Sequence, residues 1–524
     1  MGLRRPHRMS KSFYITTAID YVNGHAHLGH AYEKIISDVI ARAHRSFGEP
    51  VFFLTGLDEH GQKVQQSAVR NHLDPQAYCD QLAASWRAFA DSLDLTINGF
   101  VRTTSPAHTS VVQSILSKLH KEDQFYQAEY KGFYSSKEET FLTERDRRED
   151  GTFDPFYGEV TELTEQNYYF KLKAHQTWLI DHIEANPDFI HPDYRRNEVL
   201  GFLKNNTLED LCISRPVTRL NWGIPLPFDP QFVTYVWFDA LVNYLSIPAT
   251  LGDPLVTQTL GLPPQNNAHT LWPADAHVIG KDILKFHAVY WPIMLKAMGL
   301  PLPRQILVHG FWQKDARKIS KTTGNIVEPQ TVIDAWGLDA FRYHVVRELD
   351  IGPDGNWTDE GFAARYQAEL ANGLGNLVNR SLSMLKRYRD GRVPARHDEL
   401  GATVGEKTDQ TAQALRKNRL QGALGVIWSI IDRANQYVDQ TAPFKLAKDP
   451  GQAARLDEVL YNLAETTRVL AILIWPILPN TAQRIWEQLA LEGSPTEWKD
   501  AAWGGLAEGH VIGTPAPLFP RKET

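Results

Sequence analysis

Phe13-Tyr14-Ile15-Thr16-Thr17-Ala18, His27-Leu28-Gly29-His30 and Val51-Phe52-Phe53-Leu54-Thr55 decide the fold of this 524-residue chain. The first and third stretches are apolar and read as buried strands. Between them Tyr32, Ile35, Ile36, Val39, Ile40 and Ala43 recur at i, i+3, i+4, i+7, i+8 and i+11, which is one helical face. Strand, helix and strand within about fifty residues form a parallel βαβ unit, which closes right-handed. His277-Val278-Ile279-Gly280 and Ile306-Leu307-Val308-His309 read as later strands of the same sheet. An α/β nucleotide fold split by an insertion follows.

The short segment before the helix has a chemical rationale. A helix N-terminus carries free N–H groups and a positive dipole end, so it attracts phosphate. Gly29 lets a nucleotide approach the backbone closely. His27 and His30 each supply a ring N–H for a phosphate oxygen. Far downstream, Lys318-Ile319-Ser320-Lys321-Thr322 places two lysines three residues apart in a polar loop, with Gly324 just beyond. Cations that close on a leaving pyrophosphate stabilise its developing charge. Two look-alikes fail. Met9-Ser10-Lys11-Ser12 precedes the first strand, the wrong place for such a loop. Gly56-Leu57-Asp58-Glu59-His60-Gly61-Gln62-Lys63 approaches a P-loop, but Gln62 takes the lysine position and Val64 the hydroxyl position.

Composition bounds the rest. Apolar residues make up 43% and charged residues 22%, ordinary for a globular protein of about three domains. No apolar run approaches the ~20 residues that span a bilayer, and no secretory h-region follows Arg4, Arg5 and Arg8. No membrane association and a cytoplasmic location are expected. Cys79 and Cys212 form no CxxC pair, so they build no thiolate zinc knuckle and read as reduced thiols. Net charge is −7, so a nucleic-acid partner must meet a local basic surface. From about 120 to 225 the alternation breaks into aromatic, turn-rich segments, an inserted α+β domain. From about 362 the period turns helical throughout, as in Leu456, Val459, Leu460, Leu463, Leu470 and Ile474. Residues 390–412 read as a polar loop or linker, and the last fifteen residues as an extended segment over the helices.

HLGH and the lysine loop, in this order and setting, resemble the signature motifs of class I aminoacyl-tRNA synthetases, and more closely their methionyl branch. Leu28 departs from the first motif, and Ile319 and Thr322 from the second, all conservatively. The run Thr16-Thr17-Ala18-Ile19-Asp20-Tyr21-Val22-Asn23-Gly24 is also similar to methionyl enzymes, with Asp20 where many have Pro or Tyr. The resemblance implies a Rossmann-like parallel sheet split by an α+β connective insertion and followed by a C-terminal α-helical bundle. Its expected divisions are 1–118 and 226–310 for the two halves of the catalytic domain and 119–225 for the connective insertion. Residues 311–361 hold the KMSKS-type loop and stem-contact region, and 362–524 the anticodon-binding bundle. The implied activity joins L-methionine to tRNA(Met) through an adenylate, with ATP and Mg2+ and no zinc. Catalytic residues are expected at His27, His30, Lys318 and Lys321.

Other roles follow from the resemblance segment by segment. ATP is expected at Gly29, Gly280, Asp282 and Lys321. Asp58, just past the second strand, stands where the family binds the methionine ammonium. Trp237 and Tyr244 match the family's aromatic pocket. Ile283 and His287 face the side chain, with Ile19 and Tyr21 completing the wall. Aromatic rings hold a thioether through dispersion and sulfur–ring contacts. Asn376 and Arg380, one helical turn apart, match the anticodon helix. Pro443-Phe444 stands where the family has Pro-Trp, so a base would stack on a ring with less area and no indole N–H. Enzymes for leucine, isoleucine and valine need a larger insertion, and cysteinyl enzymes a cysteine-rich site. A monomer is expected. A silent paralogue that only binds tRNA is the alternative of another class.

Overall fold

The apolar stretches on either side of HLGH are strands in the computed structural model, Phe13–Thr17 and Val51–Asp58. The structure describes residues 11–22, 26–135, 140–142, 146–148, 150–265, 268–314, 317–318 and 326–522. It divides into two compact units, the first Met1–His25, Leu54–Ala88 and Asn98–Leu307, the second Ala26–Phe53, Phe89–Ile97 and Val308–Thr524.

The main sheet lies almost wholly in the first unit. Its strand order is Asp20–Tyr21, Val51–Asp58, Phe13–Thr17, Ala276–Gly280, Ile306–His309 and Ile190–His191, and Gly99–Arg102 also pairs with Val51–Asp58. Phe13–Thr17 runs parallel to Ala276–Gly280, with Ile15 opposite Ala276 and Thr17 opposite Val278. The non-sequential order is that of an α/β sheet whose strands meet through crossovers. Gly56 is obligatory here, because a Cβ would stand 2.2 Å from the Val101 carbonyl oxygen of the paired strand. The insertion is built on an antiparallel pair, Phe125–Ser135 against Val160–Phe170, flanked by Thr140–Leu142 and Leu211–Cys212. Helices Gln176–Ala185 and Asp193–Asn205 follow, giving the α+β character.

In the second unit, the helix expected after HLGH spans Leu28–Ser46. Its apolar stripe is buried as expected, but so are Glu33, Lys34, Ser37, Asp38 and Arg42 on the other side. The helix is enclosed by packing, and Glu33, Ser37, Asp38 and Arg42 on its polar face are satisfied by other groups of the chain. Asp38 accepts from Arg342 at 2.7 Å, Arg42 at 2.8 Å, and the Thr96 N–H and hydroxyl at 2.7 and 2.6 Å. Neither the Asp38 nor the Arg342 side chain is exposed. Arg342, on helix Leu338–Glu348, also donates to the carbonyls of Leu93, Pro476 and Ile477.

Helical packing continues through Asp359–Arg365, Asn376–Arg389, Leu420–Thr441, Ala453–Ile474 and Pro479–Gln488. The reading of 390–412 as a linker is corrected, since Gly401–Arg416 is a helix burying Val404, Thr408, Thr411 and Leu415. The chain beyond Gln488 is strapped to the bundle by Glu465. This carboxylate accepts from the N–H groups of Gly504, Gly505 and Leu506 at 2.7–3.0 Å and pairs with Arg468 at 2.6 Å. Among the described residues no helix is long and apolar enough to cross a membrane.

Burial would raise the Asp38 pKa, but Arg342, Arg42 and the Thr96 hydrogen bonds outweigh it and hold the carboxyl below its usual range. Asp38→Ala leaves the Arg342 guanidinium buried without its carboxylate, an expected loss of about 3–5 kcal/mol. A thermal melt checks this. The Asp38 contribution is complete above the unfolded carboxyl pKa of about 3.9 and is lost as pH falls through the lower folded value, so the wild-type–mutant gap narrows in acid.

Candidate active site

In the second unit, the HLGH turn is held by its own histidines. His27 is the N-cap, and its Nδ1 accepts from the Gly29 N–H at 3.1 Å. His30 Nδ1 accepts from the His27 N–H at 3.1 Å, closing a capping box. The rings stack with centroids 3.9 Å apart. Because each Nδ1 accepts, a neutral ring carries its proton on Nε2 and retains a donor. Gly29 lies close beneath, where a Cβ would stand 3.1 Å from the His27 ring.

The second motif is described in part. Strand Trp312–Lys314 pairs antiparallel with Arg317–Lys318, placing the Lys318 backbone opposite Gln313. Ile319, Ser320, Lys321 and Thr322 lie outside the described residues.

The first unit holds most of the residues expected to line the pocket. Asp58 is buried at the carboxyl end of its strand, its Cα opposite that of Tyr21. Trp237, half-buried, stacks on Phe286 with centroids 3.6 Å apart and planes 10° apart. Tyr244 and His287 are buried and joined at 2.7 Å between the hydroxyl and Nε2. His287 Nδ1 faces the Ile283 carbonyl at 3.0 Å and must donate to it, so Nε2 accepts from Tyr244. His287 lies in a π-helical turn, Phe286–Tyr290, an irregularity common at functional sites and without a signature in the apolar pattern. Gly280 ends the strand Ala276–Gly280 and Asp282 is exposed in the turn after it. Ile19 is half-buried beside the strand Asp20–Tyr21.

In contact with Tyr244 and on the helix of Trp237 lie residues the sequence reading missed. His277 accepts from Trp291 Nε1 at 3.3 Å through Nε2, so its Nδ1 donates to Thr16 at 2.7 Å. Its ring supports Tyr244 at a centroid distance of 4.1 Å. Asp239, on the short helix with Trp237, bridges His60 and His108, each at 2.6 Å. Burial would raise the Asp239 pKa, but the His60 charge and the hydrogen bonds of both histidines bring it to about 2. These partners are 179 and 131 residues away in sequence, so no local periodicity could reveal them. Burial pushes the Cys79 thiol up to about 12, and Cys79 and Cys212 are both free. No group of three or more His, Cys, Asp or Glu among the described residues could hold a metal.

In the helical region, Asn376 opens helix Asn376–Arg389 directly after a π-helical segment, Tyr366–Gly375. Arg380 pairs with Asp439 at 3.4 Å, near the end of helix Leu420–Thr441. Ala442 turns the chain at φ 46°, and Pro443 then begins a short helix on which Phe444 is 45% exposed.

A parallel α/β sheet with a buried carboxylate at a strand end is the class of fold that binds nucleotides at its strand ends. The comparisons narrow this. The family described as "tRNA synthetases class I (M)" matches residues 13–150 and 156–382, and the "Anticodon binding domain of methionyl tRNA ligase" matches 389–523. The chain is 40% identical to the methionine–tRNA ligase of Rhizobium meliloti over 98% of this chain and 99% of that one. It is 39% identical to that of Bacillus subtilis, covering 98% and 78%. The solved Mycobacterium tuberculosis methionyl-tRNA synthetase in complex with methionyl-adenylate superimposes with TM-score 0.89 at 37% identity, covering 98% of this chain and 100% of that one. The chain belongs to the methionyl family of class I tRNA synthetases.

Burial, and the neighbouring His287, hold the His277 pKa well below 6.5. His277 is therefore expected to stay neutral at pH 5, where an ordinary histidine is protonated. NMR of its ring nitrogens checks this, with one protonated nitrogen expected throughout. His277→Gln should raise the KM for the amino-acid substrate several-fold through the displaced Tyr244 ring, read by steady-state kinetics.

Proposed function

We propose that this chain activates L-methionine with ATP and transfers the methionyl group to the 3′-terminal adenosine of tRNA(Met), serving translation including initiation. The observation that carries this reading is the likeness along 98% of the chain to a protein solved with methionyl-adenylate. The joined Tyr244 and His287, with the stacked Trp237 and Phe286, support a thioether-binding wall. Asp58 holds the substrate ammonium, and Ile19, Tyr21 and Ile283 complete the wall.

In the first step a methionine carboxylate oxygen attacks the α-phosphorus of ATP in line, and pyrophosphate leaves. The nucleophile is already ionised, so no general base is required. Catalysis is positioning and charge stabilisation. His27 and His30 donate from Nε2 to phosphate oxygens, and the N–H groups around Gly29 offer the helix dipole. Lys318 and Lys321 neutralise the departing pyrophosphate. Gly280 permits close approach of the nucleotide, and Asp282 accepts from the ribose. Magnesium bound with ATP would add charge neutralisation at the phosphates, and among the described residues no group of three or more His, Cys, Asp or Glu would hold it. In the second step a hydroxyl of the terminal adenosine, the 2′-hydroxyl by class I resemblance, attacks the methionyl carbonyl carbon and AMP leaves. Asn376 and Arg380 bond splayed anticodon bases, and Phe444, aligned by Pro443, stacks on one. The divisions at 118, 225, 310 and 361, a monomeric state and a cytoplasmic location complete the reading.

Methionine-dependent ATP–pyrophosphate exchange tests it, and absence of exchange with methionine among all twenty amino acids would overturn it. Lys321→Ala should cut exchange ~10²-fold or more, the usual scale for losing one transition-state donor. Phe444→Ala should raise the KM for tRNA about 5- to 150-fold, from the ~1–3 kcal/mol of one base–aromatic stack, with exchange unchanged.

A further inference from the structure

Glu33 and His309 meet inside the second unit. Glu33 lies one turn after His30 on the HLGH helix, and His309 ends the strand Ile306–His309. The carboxylate is 3.1 Å from His309 Nε2, and the two side chains are only 9% and 7% exposed. His309 Nδ1 faces the Gly310 carbonyl at 2.8 Å. A carbonyl only accepts, so Nδ1 carries a proton. Nε2 faces a carboxylate, so the second contact also needs a proton. That proton resides on the ring or on the carboxyl. With the proton on the ring the pair is an imidazolium against a carboxylate, and a buried charge pair tolerates displacement poorly.

The surroundings fix both ends. Tyr32 packs edge-on against the His309 ring at 5.3 Å and against Trp312 at 5.8 Å. A Cβ on Gly310 would lie 2.1 Å from the Pro353 carbonyl oxygen, so this backbone is in tight contact. Trp312–Lys314 then pairs in parallel with Gly355–Trp357. The strand end beyond His309 therefore starts from a rigid root.

We propose that Glu33 and His309 form a buried strut that fixes the HLGH turn relative to the strand end from which the lysine segment departs, and that both are positioning residues for adenylate formation. This rests on the function proposed above and adds two residues argued to act through the motifs they hold. Misplacing reacting groups by about 1 Å can cost on the order of 10²-fold in rate. Glu33→Gln and His309→Gln keep side-chain size and hydrogen-bonding capacity but remove the charge attraction.

The experiment combines exchange kinetics on the three variants with ring-nitrogen NMR on the full-length chain. Each single variant should lower kcat for exchange about 10- to 10²-fold while the methionine KM stays within about 2-fold. The double variant should be no slower than the slower single, as for two ends of one strut. In the wild type both His309 nitrogens should be protonated at neutral pH. Wild-type kcat in both singles, additive losses, or a singly protonated ring would overturn the proposal. So would a lowered melting temperature with kcat per folded molecule unchanged, which is what a merely structural pair would give. A wild-type chain that forms no methionyl-adenylate would instead sink the function itself, while the NMR result still decides whether the strut is charged.

Discussion

The Asp38 carboxylate is the constraint on which the second unit is organised. An ion removed from water costs several kcal/mol unless its partners replace the lost solvation. Asp38 meets that demand with four donors from three places: Arg42 on its own helix, Thr96 on the segment Phe89–Ile97, and Arg342 on Leu338–Glu348. Arg342 in turn satisfies the carbonyls of Leu93, Pro476 and Ile477. A slip of the HLGH helix by one residue would strand a buried charge and several backbone groups at once. The network therefore selects one register for the helix whose tip carries His27 and His30. Its role is to exclude alternatives, more than to add net stability.

Histidines extend the same logic into the first unit. The imidazoles of His277, His287 and His108 each have both ring nitrogens engaged with the chain. For His277 and His287 the hydrogen-bond partners define a single tautomer. The rings act as rigid connectors between distant segments, and the Tyr244 side chain inherits its position from them. Asp239 does the same for the helix that carries Trp237, through His60 and His108.

Much of this was legible in the sequence, and what escaped did so for identifiable reasons. The strands Phe13–Thr17 and Val51–Asp58 and the helix between them follow from local apolar pattern, which is set by burial. The burial of that helix's polar side was not readable, because pattern reports residue type and not the distant partners that permit burial. Gly401–Arg416 was missed because its buried stripe is built from Val404, Thr408, Thr411 and Leu415, half of it hydroxyl side chains that count as polar. The threonine hydroxyls are satisfied by carbonyls one turn back, Thr408 on Val404 and Thr411 on Lys407. At the candidate site, the resemblance singled out the motifs and the expected pocket segments, but not the contacts of Thr16, His277, Asp239 and His108. Their contacts join segments more than a hundred residues apart.

The capping box at His27 and His30 has a consequence for how the first motif can be dissected. The same two rings that would meet a nucleotide also tie down the backbone that presents them. Truncating either to alanine erases a ligand contact and unravels a cap together, so the resulting deficit confounds chemistry with architecture. Asparagine separates the two, since its amide oxygen can reproduce the accepting role of Nδ1 while lacking the outward nitrogen.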